Sequence, residues 1–262
     1  MPITRRQLLA STAFQLAAQK FGVTYYVRYA GSYGILEGDR IQPLQGSPFE
    51  NPKPAGKPIA ASSVKLLYPC LPPKVLAVGL NYKSHIGGRP APKRPEIFFK
   101  PITCLTSPGD PIVIPSDSKN THYEGEIVIV MGKNNRIFGY TCGNDVSERD
   151  WQSGPDKDLQ WWRAKGADTF GPLGPAIAVG LDPKPSKLTT RLNGAVVQEQ
   201  FVSDLLFDCD RIVAFASKYV TLTPGDVIYT GTPGTTKAMS PGDVVEVHID
   251  GIGTLRNPVK AG

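Results

Sequence analysis

Tyr123-Glu124-Gly125-Glu126-Ile127-Val128-Ile129-Val130 decides how this chain is read. Four consecutive β-branched residues mark a buried strand, and a strand turns alternate residues to the same side. Glu124 and Glu126 therefore point into one space. Carboxylates about 6–7 Å apart along a strand repel each other, and a hard divalent cation between them is the usual remedy. A third acid would complete a set of oxygen ligands. Asp145, in Asn144-Asp145-Val146-Ser147-Glu148-Arg149-Asp150, stands at a turn just past another strand-like run, where ligands are often presented. All-oxygen ligation suits magnesium or manganese, whereas zinc would want His or Cys. The competing reading is an acid pair on a solvated edge. The apolar run weighs against it, because acids on the buried side of a central strand are costly without a cation or basic partner.

Working outward, 262 residues suffice to bury a full core, and 27 Gly and 25 Pro with few long helical periodicities predict many short strands. The fold class expected is mostly β (α+β). The net charge of +6 is spread, with Lys and Arg interleaved with acids, which argues against a nucleic-acid interface and suits a small anionic substrate. Cys70, Cys104, Cys142 and Cys209 lack CxxC spacing, so free thiols are expected. No stretch after the N-terminus is long enough to span a membrane. Thr4-Arg5-Arg6-Gln7-Leu8-Leu9 resembles a twin-arginine export signal, although an amphipathic helix or an over-extended start accounts for it equally well. A cytoplasmic location is expected, with export as the alternative.

Three divisions follow. Residues 1–21 are signal-like, disordered or helical, residues 22–72 form a small β module with a linker, and residues 73–262 form the main domain. In the module, strand runs from Val23 to Leu44 are separated by a Gly turn at Gly31-Ser32-Tyr33-Gly34. In the main domain, strands are predicted at Val75 to Leu80, Glu96 to Lys100, Ile112 to Ile114, Glu126 to Met131 and Arg136 to Cys142. A tight turn at Gly132 to Asn135 separates the last two. Helices are predicted over Asp158 to Gly166 and Ser203 to Tyr219, the second amphipathic through Leu205, Leu206, Ile212, Val213 and Phe215. Leu222 to Val259 returns to strands. Ile86 to Pro95 and Gly154 to Asp158 are candidate specificity loops.

Other residues can carry chemistry. His85 follows a strand end and suits a general base, with a structural hydrogen-bonding role as the alternative. Lys165 suits a substrate carboxylate, although composition alone makes it an ordinary surface lysine. Trp151, Trp161 and Trp162 read as core residues. Thr230-Gly231-Thr232-Pro233-Gly234 closes a strand with two hydroxyls and a flexible backbone, either an anion-binding turn or a plain one.

In this order the pieces resemble the catalytic domain of the fumarylacetoacetate hydrolase family. The resemblance is carried by Asn81 to His85, Phe98 to Pro101, Glu124 to Glu126, Asn144 to Gln152, Lys165 to Pro175, Asn193-Gly194, Pro224 to Pro233 and Gly251 to Gly253. It implies a mixed β-sandwich roll, a homodimer, and Mg²⁺ or Mn²⁺ on Glu124, Glu126 and Asp145. It also implies that Lys165, Arg149, Gln152 and Thr232 surround a 2-oxo acid whose oxygens chelate the metal. Two positions depart from the family pattern. Hydrolytic members carry a Glu three residues after the His, forming a dyad that activates water, and here that position is Gly88, which weakens water activation unless Glu96 or another acid substitutes. A short helix common before the Asn-Asp motif is replaced by the Gly132 to Asn135 turn.

The first expectation is thus metal-dependent C–C hydrolysis of an acylpyruvate- or fumarylacetoacetate-like acid. Gly88 gives weight to an isomerase or decarboxylase of a 2-hydroxy-dienedioate or oxaloacetate-like acid from aromatic breakdown. From a different class, a non-catalytic metal- or keto-acid-binding relative is the third reading.

Overall fold

In the computed structural model, which describes residues 22–262, the Ile127–Val130 run is fully buried. The twin-arginine-like segment lies outside the described residues. The main strands are β1 (Thr24–Tyr29), β2 (Ser32–Glu37), β3 (Arg40–Gln45), β4 (Val75–Gly79), β5 (Glu96–Lys100), β6 (Ile112–Ile114) and β7 (Gly125–Met131). They continue with β8 (Ile137–Asn144), β9 (Gly171–Val179), β10 (Lys187–Leu192), β11 (Ala195–Phe201), β12 (Val227–Tyr229), β13 (Val244–Ile249) and β14 (Gly253–Ala261). The helices are short: α1 (Lys83–Ile86), α2 (Arg149–Ser153), α3 (Trp162–Gly166) and α4 (Cys209–Ala216).

The larger sheet runs β3-β2-β1-β9-β8-β7-β12-β4-β5, with two-residue strands added at its margins. All of these neighbours pair antiparallel except β12 with β4. β1 lies directly beside β9, with Tyr26 opposite Ile177, so the N-terminal strands continue the main sheet. A second sheet runs β6-β14-β13-β10-β11.

The position of β7 explains why its sequence does not alternate. Ile127 and Ile129 join a core with Leu188, Val247 and Ile249 of the second sheet and with Ile212 and Val213 of α4. Val128 and Val130 point the other way and pack with Val75, Ala77 and Tyr229. A strand covered on both faces reads as a continuous apolar run, and each such side chain contributes about 1.5–3 kcal/mol by leaving water. Period two then assigns Gly125 to the second-sheet face and the two glutamates to the other.

Several expectations are corrected. The first N-terminal turn is Ala30-Gly31, both at positive φ, and Gly34 lies inside β2. A Cβ at Gly34 would stand 2.3 Å from Ile41 Cγ2, so glycine is needed there for strand packing. The helix expected over Ser203 to Tyr219 starts only at Cys209, because Asp208 caps it by accepting from the Arg211 N–H at 2.9 Å. Leu205 and Leu206 precede it, held on Tyr82 by an isolated bridge and on the Asn81 carbonyl at 2.8 Å. The helix expected from Asp158 begins at Trp162, after Trp161 in a left-handed conformation. Trp151 is buried as expected, but Trp162 is 65% exposed and is no core residue. The Gly132 to Asn135 turn is present, and the four cysteines are free and buried.

Candidate metal centre

Glu124, Glu126 and Asp145 are buried, and one carboxylate oxygen from each lies within 4.8 Å of the others. The β7–β8 hairpin builds this cluster through its own backbone. The Glu124 N–H donates to Asn144 Oδ1 at 2.8 Å, and the Asp145 N–H donates to the Glu124 carbonyl at 2.9 Å. Glu126 is held from the end of β12, where the Gly231 N–H donates to Oε2 at 2.7 Å. The Thr230 to Gly234 turn thus holds a carboxyl group of the chain itself. Gly231 has φ 105°, and a Cβ there would stand 2.8 Å from Asn81 Cβ.

Basic groups frame the acids. Lys165 Nζ lies between Glu124 Oε2 at 2.5 Å and Asp145 Oδ2 at 2.8 Å. Arg149 Nη2 reaches Glu124 Oε1 at 2.5 Å. Lys100 Nζ donates to Asp145 Oδ1 at 2.6 Å, to the Phe170 carbonyl at 3.2 Å and to the Lys165 carbonyl, which uses its three hydrogens. Lys165 is 3% exposed, so it is not the surface residue that composition suggests.

The acids do not share this support equally. Burial pushes Glu124 up, but the charges of Arg149 and then Lys165 outweigh it and hold the carboxyl below its usual range. Glu126 is driven well above that range, by burial first and then by Asp145 and Glu124. Burial also opposes the Lys165 charge, yet Asp145 and Glu124 keep its pKa above the ordinary lysine value. Glu126 has no ion pair among the described residues. A buried carboxylate facing two others fits a divalent cation, and the donor set is oxygen alone, as magnesium or manganese prefers. Glu124, Glu126 and Asp145 would hold it.

His85, on α1, is brought to the same place. Its Nδ1 lies 2.6 Å from the Gly234 carbonyl and its Nε2 3.8 Å from Glu124 Oε1. A carbonyl only accepts, so Nδ1 carries a hydrogen, and in the neutral imidazole Nε2 is the nitrogen with the lone pair. Gly87 and Gly88 follow at positive φ, and Glu96 is exposed beside Arg94, 4.0 Å away. The carboxylate beside His85 is thus Glu124 rather than Glu96. Gln152 Oε1 accepts from Arg149 Nη1 at 2.7 Å. The Thr232 hydroxyl is engaged by the protein, donating to the Gly125 carbonyl at 2.9 Å and accepting from Gln198 Nε2 at 2.8 Å.

Sequence reasoning missed Lys100, Gln198, Glu148 and His122. Lys100 closes the strand in Phe98-Phe99-Lys100-Pro101, where a lysine in an apolar strand run is the signal of a buried charge. Gln198 Oε1 also accepts from the Gly125 N–H at 3.1 Å and Nε2 donates to the Pro233 carbonyl at 2.6 Å, stapling β7 to the loop after β12. Glu148 is fully buried and collects the Asn120 N–H at 2.9 Å, the Thr121 hydroxyl at 3.0 Å and the Ser118 hydroxyl. Nothing in the sequence separates it from its acidic neighbour Asp145.

The family model for the C-terminal domain of fumarylacetoacetate (FAA) hydrolase matches residues 74–260, and an Rv2993c-like N-terminal model matches residues 27–69. The chain is 38% identical over 224 residues to the mitochondrial oxaloacetate tautomerase of Xenopus laevis, covering 77% of this chain and 70% of that protein. The crystal structure of 5-carboxymethyl-2-hydroxymuconate delta-isomerase from Mycobacterium smegmatis is 42% identical, with a TM-score of 0.83 over 92% of this chain and all (100%) of that one. Maleylpyruvate hydrolase from Sphingobium sp. SYK-6, solved with manganese(II) and pyruvate, is 26% identical with a TM-score of 0.75, over 91% of this chain and 99% of that one. No helix among the described residues is long and apolar enough to cross a membrane.

Proposed function

Because the chain belongs to the fumarylacetoacetate hydrolase family, we propose that it is a divalent-metal-dependent isomerase or tautomerase of a small 2-oxo acid. The observation that carries this reading is the pairing of a buried, oxygen-only acid cluster with a histidine whose partner position is Gly88. Moving a proton needs a base and a stabilised enolate, whereas splitting a C–C bond with water also needs that water activated. A cation on Glu124, Glu126 and Asp145, Mg²⁺ or Mn²⁺, supplies Lewis acidity toward the oxygens of a 2-oxo carboxylate.

The chain's own groups do the rest. His85 Nε2, with its lone pair exposed by the Nδ1 contact to Gly234, takes a proton from the carbon beside the oxo group and returns it to oxygen or to another carbon. Lys165 and Arg149 put positive charge beside the acids and so favour an anionic substrate, and Gln152 fixes the guanidinium. Thr232 contributes by pinning the Glu124-Gly125-Glu126 backbone. Tautomerisation of an oxaloacetate-like acid suits this equipment. The similarity to a maleylpyruvate hydrolase supports hydrolysis as the second reading, with Glu124 as the acid beside His85.

The test follows the ultraviolet decay of enol-oxaloacetate, in parallel with an acylpyruvate and a 2-hydroxy-dienedioate, with Mn²⁺ and wild type or Glu126→Gln. Accelerated ketonisation or isomerisation that the substitution abolishes is the expected result. Cleavage of the acylpyruvate alone would transfer the assignment to hydrolysis, and Mn²⁺ binding with no turnover of any compound would favour a non-catalytic binding protein.

A further inference from the structure

Five side chains beside the acid cluster form a ring of hydrogen bonds whose direction is set from the Asp150 end. Arg149 can only donate, and its Nη2 reaches Thr236 Oγ1 at 2.8 Å. Thr236 Oγ1 lies 2.8 Å from His122 Nδ1, and His122 Nε2 lies 2.7 Å from Asn120 Oδ1. Asn120 Nδ2 in turn donates to Asp150 Oδ1 at 3.0 Å. A carboxylate accepts, so the Asn120 amide must turn its NH₂ to Asp150 and its oxygen to His122. His122 therefore carries a hydrogen on Nε2, and in the neutral imidazole Nδ1 offers a lone pair to which the Thr236 hydroxyl, already accepting from Arg149, donates.

The ring closes through the backbone, since Arg149 and Asp150 are adjacent and the Arg149 N–H donates to the Asn120 carbonyl at 3.0 Å. His122 also pairs with Ala238 as an isolated bridge, which keeps Thr236 within reach. Buried Glu148 fixes Asn120 from below through its N–H at 2.9 Å.

We infer that His122 is a positioning residue for Arg149, holding the Thr236 hydroxyl in the one orientation that accepts from the guanidinium. Arg149 is then locked at three points, Thr236, Gln152 and Glu124, which leaves two of its five N–H groups outside these contacts. This inference rests on the reading of Arg149 as the group that meets an anionic 2-oxo acid. It assigns the specificity of that contact to a histidine that itself touches no ligand.

Pyruvate binding to the Mn²⁺-loaded full chain, measured by calorimetry, tests it in wild type, His122→Phe, Thr236→Val and the double variant. Each single substitution is expected to weaken pyruvate about tenfold to a hundredfold while Mn²⁺ still binds, and the double variant is expected to lose no more than the worse single. Losses that multiply, or full affinity in His122→Phe, would overturn the inference. The imidazole ¹⁵N spectrum of wild type adds a readout independent of variant folding and of substrate. Protonation of His122 at Nε2 supports the ring, and protonation at Nδ1 overturns it. Wild type that binds Mn²⁺ but no pyruvate would count against the 2-oxo acid reading alone, and the tautomer would then decide the positioning role.

Discussion

Lys100 Nζ stands 2.6 Å from Asp145 Oδ1, and neither side chain is more than 2% exposed. Removing one member of a buried ion pair leaves the other charge uncompensated, at a typical cost of 3–5 kcal/mol. Lys165 remains on Asp145, so Lys100→Met should cost about 3 kcal/mol and lower the melting temperature by roughly 10 °C. A shift of under about 2 °C in a thermal melt would show that Lys100 does not support the acid.

Glu126→Gln should act in opposite directions on fold and function. Its carboxyl is raised by burial, Asp145 and Glu124, so in metal-free protein the folded state holds a proton there that the unfolded chain releases above about pH 4.3. Stability contributed at this site is present below that pH and lost as pH rises toward the folded-state value. The amide removes the penalty. In chelator at pH 7 the variant should melt higher than wild type, while Mn²⁺ binding by calorimetry disappears. A lower melting point in chelator would contradict the account of mutual repulsion.

His122 gives a pH signature of the other sign. Its pKa is lowered to about 4, by burial first and the Arg149 charge second, against about 6.5 unfolded. Between those values the unfolded chain binds more protons, so stability rises with pH across this window and is lost as pH falls through it. Denaturant unfolding at pH 4.5 and pH 7.5 should show a smaller stability difference in His122→Phe than in wild type. Equal differences would mean that the imidazole titrates normally in the fold.

Gly125→Ala should disrupt the site without touching a ligand. A Cβ would fall 2.0 Å from Thr190 Oγ1, where the second sheet meets β7. Overpacking of this kind costs about 1–3 kcal/mol. Thr190→Ala in the same chain should recover part of the loss in melting temperature, because only its Cβ, 3.3 Å away, would remain. No recovery would place the constraint elsewhere, for example on Gln198 Oε1 at 3.4 Å.

What could be read in advance follows from how local each cause is. Glu124 and Glu126 share a face because a strand has period two, and their burial follows from the Ile127–Val130 run. Both facts lie within seven residues of sequence. The amphipathic spacing overstates the length of α4 because it extends through Leu205 and Leu206, while the helix start is set by the Asp208 cap and by the pull of Tyr82 and Asn81 from another part of the chain. Lys100, Gln198 and His122 carry no local signal for a related reason. Lys100 and Gln198 act through partners 34 or more residues away, and His122, although Asn120 is a near neighbour, reaches Arg149 only through Thr236 at a separation of 114. The resemblance implies Thr232 beside the substrate, and the bond of its hydroxyl to the Gly125 carbonyl is a contact that only tertiary packing sets.

The acid cluster rests on β7, which is flanked by β8 on one side and β12 on the other and covered on both faces. Such a strand lies among the last parts of a protein to exchange its amide hydrogens with solvent, because exposing them requires the whole sheet to come apart. Cation binding and cooperative unfolding should therefore fail together on heating. The turns between 86 and 95 and between 154 and 158 lie outside β7 and can be rewritten by evolution or by engineering to admit a new acid, while the centre that would activate it remains in place.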